Sequence, residues 1–382
     1  MRLIVRALGL SLASSMRGMD VNAVVGGLLR DLAFVQTSPQ KTFGYKRAAS
    51  TILSLEQQLT ALRGSDGTLP KIPGIGPGSL RVIIEVLDTG ASPTVESAVA
   101  ASARRDDIQR RRVLRAHFLS RAEVVRVLRD PHASGPGPRD YRCDLQMHSE
   151  WSDGAPTLAD IVEACLERGY SHAAVTDHSH GLAIAGGMSM AEAARQHEAI
   201  DVLNAAYRGR FKLLRGIEAN IGAEGALDLS AEEARQFELV LAAPHSKLRK
   251  AEDQTGRMTT AVRNRAVHIL AHPRGRIAGS RAGIVADWDT VFARAAHEGV
   301  AIEIDGDPAR QDLDYTLAAR ALSTGCVFAL DSDAHTTEQL RYADTALAHA
   351  RLAAIPSERI VNCWPIDRLL AWLDNRSSES AK

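Results

Sequence analysis

The sequence is short of cysteine, of net charge and of long apolar runs, and each scarcity excludes a class of protein. Its four cysteines have neither disulfide nor zinc-finger spacing, which indicates a reducing, cytoplasmic setting. Formal net charge is zero, so any nucleic-acid binding must come from local basic patches. No apolar run is long enough to predict a membrane span.

The start of the chain superficially resembles a signal peptide, but Arg6 interrupts its apolar stretch. We therefore expect an irregular N-terminus over residues 1–20, with Met16 and Met19 as candidate start residues. The remaining length predicts two domains, each able to bury a core.

Imidazoles and carboxylates are dispersed between residues 144 and 335. Divalent transition metals need such donors from distant points, because no single segment can surround an ion with enough nitrogen and oxygen atoms. The clusters are Asp144 to His148, Trp151 to Gly154, Thr176 to His178, Glu218, His245, His272 and Asp331 to His335. This pattern predicts a metal centre.

Short apolar runs precede these clusters, as expected of parallel strands that are buried on both faces. The runs cover residues 173–175, 213–214, 239–243, 267–271 and 327–330. Amphipathic helical stretches lie between them, at 158–168, 190–207, 288–297 and 313–322. The alternation predicts an α/β barrel, whose active site lies at the carboxyl ends of its strands.

The ordered motifs Asp-Leu-Gln-Met-His-Ser, Trp-Ser-Asp-Gly, Val-Thr-Asp-His-Ser, Leu-Ala-His-Pro, Ile-Glu-Ile-Asp-Gly and Ser-Asp-Ala-His resemble those of the PHP (polymerase and histidinol phosphatase) domain. The resemblance runs from Cys143 to about Leu373 and is closest to the version in bacterial family X DNA polymerases. Gln146 matches that version's glutamine, which replaces the first histidine of a His-x-His pair. The resemblance implies a distorted (β/α)7 barrel that holds up to three metal ions.

The same resemblance implies the ligands. The first metal would be held by Gln146, His148, Glu218 and Asp333; the second by Glu218, His245 and His272; the third by Asp153, His178 and His335. An amide oxygen is a weaker, harder ligand than an imidazole. We therefore expect the first site to be labile and to favour Mn²⁺ over Zn²⁺, with Zn²⁺ or Fe²⁺ as alternatives.

Closely spaced divalent ions activate water and neutralise charge on phosphoryl oxygens, so the predicted reaction is phosphoester hydrolysis. Asp177 and Asp331 are expected to orient ligands, and Lys247, Arg274 and Arg276 to grip a phosphate. His180 has either a substrate or metal contact or an exposed position. The alternatives for Glu303 and Asp305 are a site role and a buried hydrogen-bonding role.

Helical periodicity and few aromatic residues predict an all-helical module in the first third of the chain, over 21–37, 41–63, 80–87 and 93–103. Residues 71–80 resemble a helix-hairpin-helix motif, in which Gly74, Gly76 and Gly78 would let backbone N–H groups approach a DNA phosphate. Lys46, Arg47 and Arg81 are the basic residues expected to assist. The alternative is a plain turn between packed helices.

The layout of this module resembles the N-terminal domain of family X polymerases, which grips the 5′-phosphate side of a DNA gap. Some members use a lysine there as a deoxyribose-phosphate lyase, but Val82 occupies the matching position, so we predict no lyase activity. Only residues 104–140 separate the module from the PHP-like region, too few for a polymerase palm. We predict no polymerase activity.

The connecting segment is rich in arginine, and its alternatives are a solvated helix face and a phosphate contact. The expected organisation is a helical DNA-binding domain over 21–103, an arginine-rich connector over 104–140 and a PHP phosphoesterase domain over 141–382. Three functions remain open: a DNA phosphoesterase (3′–5′ exonuclease, 3′-phosphatase or abasic-site endonuclease) acting on gapped or 3′-ended DNA without sequence preference, a small-molecule phosphatase of the histidinol-phosphate type, and a non-catalytic DNA-binding module.

Overall fold

The computed structural model describes residues 18–378, so most of the predicted irregular N-terminus, including Met16, lies outside the described residues. The chain divides into two compact units, Met1–Arg129 and Asp130–Lys382. The division falls inside the predicted connector, since both of its helices belong to the first unit. Among the described residues, no helix is both long enough and apolar enough to cross a membrane.

The described part of the first unit is helical. Its helices are α1 (Val21–Val35), α2 (Pro39–Ser54), α3 (Leu59–Leu62), α4 (Pro77–Thr89), α5 (Pro93–Ala100), α6 (Arg105–Leu114) and α7 (Arg121–Arg129). Asp20, Ser38 and Ser92 accept backbone N–H bonds at the starts of α1, α2 and α5. Val25, Leu29, Ile52, Ile83 and Val95 are among the fully buried residues of its core.

Several arginines of α6 and its flanks bind within the helical unit. Arg112 and Arg115 both pair with the buried carboxylate of Asp31 at 2.6–2.7 Å. The guanidinium carbon of Arg111 lies 3.9 Å from the centre of the Phe34 ring, and that of Arg104 lies 4.9 Å from it. These contacts favour a structural role for this part of the segment over a phosphate contact.

The second unit is an α/β barrel built on a six-stranded parallel sheet in the order β1 to β6. The strands are β1 (His172–Val175), β2 (Lys212–Asn220), β3 (Leu239–Ala243), β4 (Ile269–Leu270), β5 (Ala301–Asp305) and β6 (Phe328–Asp331). The helices are α8 (Leu158–Glu167), α9 (Met190–Ala206), α10 (Ala231–Ala234), α11 (Thr255–Arg263), α12 (Trp288–Glu298), α13 (Tyr315–Ser323), α14 (Ala343–Leu352) and α15 (Ile366–Ser378).

An irregular seventh segment, residues 142–148, lies between β1 and the end of β6. On one side its carbonyls accept from β1 and its flanks, as in Ala174 N to Asp144 O at 3.0 Å and Thr176 N to Met147 O at 2.8 Å. On the other side His148 N donates to Ala334 O at 2.8 Å. This segment joins the two edges of the sheet, which confirms the distorted seven-stranded barrel.

Candidate metal centre

Glu218 is the centre of the donor cluster. It lies near the carboxyl end of β2, and its side chain is fully buried. One oxygen, Oε1, is 2.8 Å from His272 Nε2 and 3.2 Å from His245 Nε2. The other, Oε2, is 3.3 Å from both His148 Nε2 and His178 Nδ1. Four imidazoles from four segments therefore converge on one carboxylate.

Two further carboxylates complete the cluster. Asp333 Oδ1 lies 3.1 Å from His148 Nε2. Asp153 Oδ1 lies 3.3 Å from His335 Nε2 and 3.5 Å from His178 Nε2. Three groups of donors result, each with mutual separations short enough for one ion: His148, Asp153, His178 and His335; His178, Glu218 and His245; and His148, Glu218 and Asp333.

The cluster is electrostatically balanced by its own members. Burial alone would raise the pKa of Glu218, but the imidazoles, His178 foremost, hold that pKa well below its usual range. The pKa of Asp333 is also lowered, against the effect of burial, by Arg310 and His148. Both carboxylates are therefore anionic at neutral pH, as metal ligands must be.

Two ligands lie on unusual backbone. His272 and Asp333 have positive φ values of 24° and 51°, a region that residues other than glycine rarely adopt. Such a conformation persists only where the surrounding contacts enforce it, and it is common at functional sites. Here it occurs at the carboxyl ends of β4 and β6, where the side chains turn toward Glu218 and His148.

Gln146 and Glu303 lie side by side beneath this cluster. The Gln146 amide nitrogen donates to both carboxylate oxygens of Glu303, with one distance of 3.0 Å. Glu303 also accepts from the backbone N–H of His272. Burial and the neighbouring Asp331 raise the pKa of Glu303 well above its usual range. Of the two alternatives for Glu303, these contacts favour the buried hydrogen-bonding role.

Asp177 and Asp331 support the loops rather than the ligand side chains. Asp177 accepts from Ser149 N at 2.8 Å, Ser149 Oγ, Ser152 Oγ and Gln196 Nε2, which shapes the loop that ends at Asp153. Asp331 Oδ1 accepts from Leu145 N and Asn362 Nδ2, each at 2.8 Å. Asp305 likewise accepts from the backbone N–H of Asp307.

Of the predicted phosphate-gripping residues, Arg276 lies elsewhere than expected. Its side chain is buried, and its guanidinium bonds to Asp314, at 3.0 Å, and to the carbonyls of Arg310 and Gln311. Because Arg276 is buried among these partners, it stabilises the loop that contains them and is not available to a phosphate. Arg274 and Lys247 are partly exposed, and lie 3.5 Å from Asp314 and 3.7 Å from Glu252. His180 is exposed and belongs to none of the three donor groups.

Arg310 was missed by the sequence reasoning. Its Nη2 lies 3.3 Å from Asp333 Oδ2, and its Nε lies 3.7 Å from both Asp305 Oδ2 and Asp307 Oδ2. A basic residue in the loop that follows the Ile-Glu-Ile-Asp strand was the available clue, because loops at the carboxyl ends of barrel strands form the site. Asn220 was also missed; its Oδ1 lies 3.3 Å from His245 Nδ1 and so orients that ring.

The donors present fit divalent metal ions. The members of the three groups are imidazole nitrogens and carboxylate oxygens, the set that suits Mn²⁺, Fe²⁺ and Zn²⁺. Among the described residues, the buried Nδ1 atoms of His148 and His272 have no hydrogen-bond partner, as expected at a site organised around bound ions.

The helical unit contains the second set of predicted residues. Gly76 is the residue before α4, and Pro77 follows it, so backbone N–H groups at the start of α4 carry no side-chain cap. Gly74 has a φ of 81°, and a Cβ there would lie 3.6 Å from Arg47 Nε. A Cβ on Gly78 would lie 2.7 Å from the Tyr45 hydroxyl. Lys46, Arg47 and Arg81 are exposed.

Comparison with known proteins matches this architecture. Residues 144–313 match the family model described as the PHP domain. The DNA polymerase/3′-5′ exonuclease PolX of Bacillus subtilis (strain 168) is 35% identical over 231 residues, which are 60% of this chain and 40% of PolX. The alignment thus spans less than half of PolX.

A probable phosphatase of Shewanella sp. (strain ANA-3) is 29% identical over 253 residues, with 63% of this chain and 94% of that protein covered. Among solved structures, histidinol phosphate phosphatase from Lactococcus lactis subsp. lactis Il1403, complexed with zinc, L-histidinol and phosphate, matches with a TM-score of 0.41. That match is 15% identical and covers 54% of this chain and 92% of that one. The chain therefore contains a PHP domain over residues 144–313, and its donor cluster supports metal-dependent hydrolysis.

Proposed function

We propose that this chain is a metal-dependent phosphoesterase that acts on DNA in repair, as a 3′–5′ exonuclease, a 3′-phosphatase or an abasic-site endonuclease. The observation that carries the hydrolytic part is the convergence of His148, His178, His245 and His272 on the buried Glu218. Ions bound there would supply hydroxide at neutral pH and neutralise charge on the phosphoryl oxygens. Mn²⁺ is the favoured ion because Gln146 would contribute an amide oxygen.

The protein's own groups orient the reaction. Glu218 and Asp333 provide the anionic donors, and their lowered pKa values keep them deprotonated at neutral pH. Arg274 and Lys247 follow ligands His272 and His245 and are partly exposed. Their cationic groups would hold the phosphate that is attacked.

The choice of DNA rests on the helical unit. The uncapped start of α4 has backbone N–H groups that favour an anion, and Arg47 lies beside Gly74 of the same hairpin. This arrangement supports sequence-independent contact with a DNA phosphate. The free, mostly buried cysteines are consistent with action in the cytoplasm.

A small-molecule phosphatase of the histidinol-phosphate type is the second candidate. The observation that favours it is the alignment of this chain with nearly the whole length of proteins named probable phosphatases. In that case the helical unit would not deliver the substrate.

The deciding experiment is Mn²⁺-dependent cleavage of end-labelled gapped and 3′-phosphorylated DNA, with histidinol phosphate assayed in parallel. Asp333→Ala is the inactive reference, and Glu238→Gln, which removes a carboxylate near the amino end of β3, is the matched control. Shortening or dephosphorylation of DNA by the parent and the control, absent in Asp333→Ala, supports the proposal. Hydrolysis of histidinol phosphate with DNA untouched would replace it with the second candidate.

A further inference from the structure

Three loops that follow β3, β4 and β5 pack together beside the metal centre, and each carries an arginine. Arg249 in the first loop donates from Nη1 to Ser280 O of the second at 3.0 Å. Leu248 of the first loop contacts Gly275 of the second, where a Cβ would lie 2.7 Å away. In turn, Ala278 N of the second donates to Ala309 O of the third at 2.7 Å.

The arginines of these loops are Arg249, Arg281 and Arg310. Arg281 donates from Nε to Gly275 O at 2.6 Å. Arg249 is exposed and Arg281 is partly exposed. In the described part of the chain, neither forms an ion pair with a carboxylate. Their bonds to backbone carbonyls orient the guanidinium groups without a direct carboxylate contact, and Asp312 acts on Arg281 only from a longer distance.

The loop contacts bring Arg249 and Arg310 near Arg281, because Arg249 binds the carbonyl of Ser280 and the loop of Arg310 pairs with Ala278. Burial first, and then the positive charges of Arg310 and Arg249, lower the pKa of Arg281. Like charges held together raise the free energy of the protein, and an anion between them would relieve the repulsion. Arg310 reaches Asp333 at 3.3 Å, so this arginine cluster adjoins the metal centre directly.

We propose that Arg249, Arg281 and Arg310 form an anion subsite that binds a second phosphate of a nucleic-acid strand, next to the phosphate that is hydrolysed. The identity of the strand rests on the proposed function. A simple phosphate ester has one phosphate and gains nothing from such a subsite, whereas a strand offers a phosphate at every nucleotide. Arg276 pairs with Asp314 inside the protein and is not part of the subsite. Arg310 pairs with Asp333 and joins the subsite to the metal centre, while Arg249 and Arg281 supply the cationic charge that no carboxylate of the described residues contacts directly.

The test compares two substrates on the full-length, metal-loaded chain. One is a trinucleotide with several phosphates, and the other is bis(p-nitrophenyl) phosphate, which has a single one. Arg249→Met and Arg281→Met are each expected to lower kcat/KM for the trinucleotide about tenfold, as loss of one charged hydrogen bond should. Activity on the single-phosphate ester should stay within about twofold.

Arg208→Met is the matched control. It removes the same charge from an exposed residue that precedes β2, at the opposite end of the barrel. This variant should leave kcat/KM unchanged for both substrates. The dependence of log(kcat/KM) on log salt concentration should flatten by about 0.7 in each subsite variant, as expected for one lost contact to a single strand. Equal losses on both substrates, or no loss on either, would overturn the subsite.

A binding measurement separates this proposal from the proposed function. The probe is a fluorescent trinucleotide with phosphorothioate linkages that resist hydrolysis. Weaker binding by Arg249→Met and Arg281→Met, but not by Arg208→Met, supports the subsite even if the parent protein cleaves no DNA. Unchanged binding in both variants refutes the subsite, while cleavage of DNA by the parent would leave the proposed function standing. Circular dichroism establishes that each variant is folded. Because Arg249 is exposed, its substitution is less able to disturb folding than that of the partly buried Arg281.

Discussion

His148 and Asp333 are 185 positions apart in the sequence, yet His148 Nε2 lies 3.1 Å from Asp333 Oδ1. The contact forms because the segment containing His148 lies against the end of β6, where His148 N donates to Ala334 O. Two edges of the barrel and two metal donors are therefore brought together by the same pairing.

Glu218→Gln should disable the metal centre. A neutral amide cannot balance the four imidazoles that surround this position, so the chain should retain fewer metal ions. The rate of phosphoester hydrolysis should fall by more than about 100-fold. Loss of even an outer partner of a metal ligand typically lowers metal affinity or activity by about 10–100-fold. Elemental analysis after desalting measures the metal content per chain, with Glu238→Gln as the control. Unchanged metal content would contradict the assignment of Glu218.

Gln146→His should make the first metal site less labile. An imidazole is a stronger ligand than an amide and favours Zn²⁺ more. After dialysis, the variant should retain more metal per chain, with a larger share of zinc. Tightly held zinc in the parent protein, equal to that of the variant, would refute the expected effect of the glutamine.

Asp31→Ala should destabilise the helical unit by about 3 kcal/mol, because it leaves Arg112 and Arg115 without the buried carboxylate that pairs with both. Denaturant unfolding followed by circular dichroism measures the change. The metal content of the barrel unit should stay the same, which distinguishes local destabilisation from general misfolding. A free energy of unfolding within about 0.5 kcal/mol of the parent would show that the pair contributes little.

His268 should make stability depend on pH. Its Nδ1 accepts from Val240 N at 3.1 Å, and its Nε2 lies 3.2 Å from Leu373 O, so the ring is neutral. Burial, with Arg376, lowers its pKa to about 4. The unfolded value is about 6.5, so between these values the unfolded chain binds more protons.

The stability that depends on neutral His268 is therefore fully present above about pH 6.5 and is lost as pH falls through 4, by roughly 3 kcal/mol at most. Urea unfolding at pH 7, 5.5 and 4 tests this against His268→Gln, which cannot titrate. The free energy of unfolding of the variant should fall less between pH 7 and pH 4 than that of the parent. Parallel pH profiles would mean that His268 is protonated in the folded protein without cost.

Removing the basic residues of the hairpin should weaken DNA binding. The double variant Lys46→Ala with Arg47→Ala loses two exposed cations of α2, of which Arg47 lies beside Gly74. Its affinity for gapped DNA should fall and its salt dependence should flatten by about 0.9 per lost phosphate contact. Fluorescence anisotropy measures both, with Arg208→Met as control. Identical affinity would favour a plain turn between packed helices.

Much of the barrel could be predicted from local patterns. Apolar runs such as 239–243 form buried strands. Parallel strands that are covered on both faces have no solvent-exposed face, so their sequences are continuously apolar and easy to recognise. The ligand motifs were recognisable because most of them lie at or just after the carboxyl end of a strand. The exact strand limits were less accessible: the run over 267–271 has only Ile269 and Leu270 paired as strand, since the register of its neighbours decides where pairing ends.

Arginine positions were the weakest part of the prediction. Arg276 follows ligand His272 closely in sequence, yet Asp314 and two carbonyls bind it inside the protein. Arg310 has no comparable motif and still lies against Asp333. A long side chain can reach in many directions, and its partner lies on another loop, so sequence spacing does not specify the contact.

By itself, the sequence determined the order of strands, the donor residues that end them and the helical character of the first unit, because periodicity and ligand chemistry are local properties. Only the tertiary structure decided that Glu218 is shared by four histidines and that Asp31 pairs with Arg112 and Arg115. It also decided that the loops carrying Arg249, Arg281 and Arg310 pack against one another beside the metal centre. These contacts join residues far apart in the chain, and closure of the barrel and packing of the loops and helices bring them together.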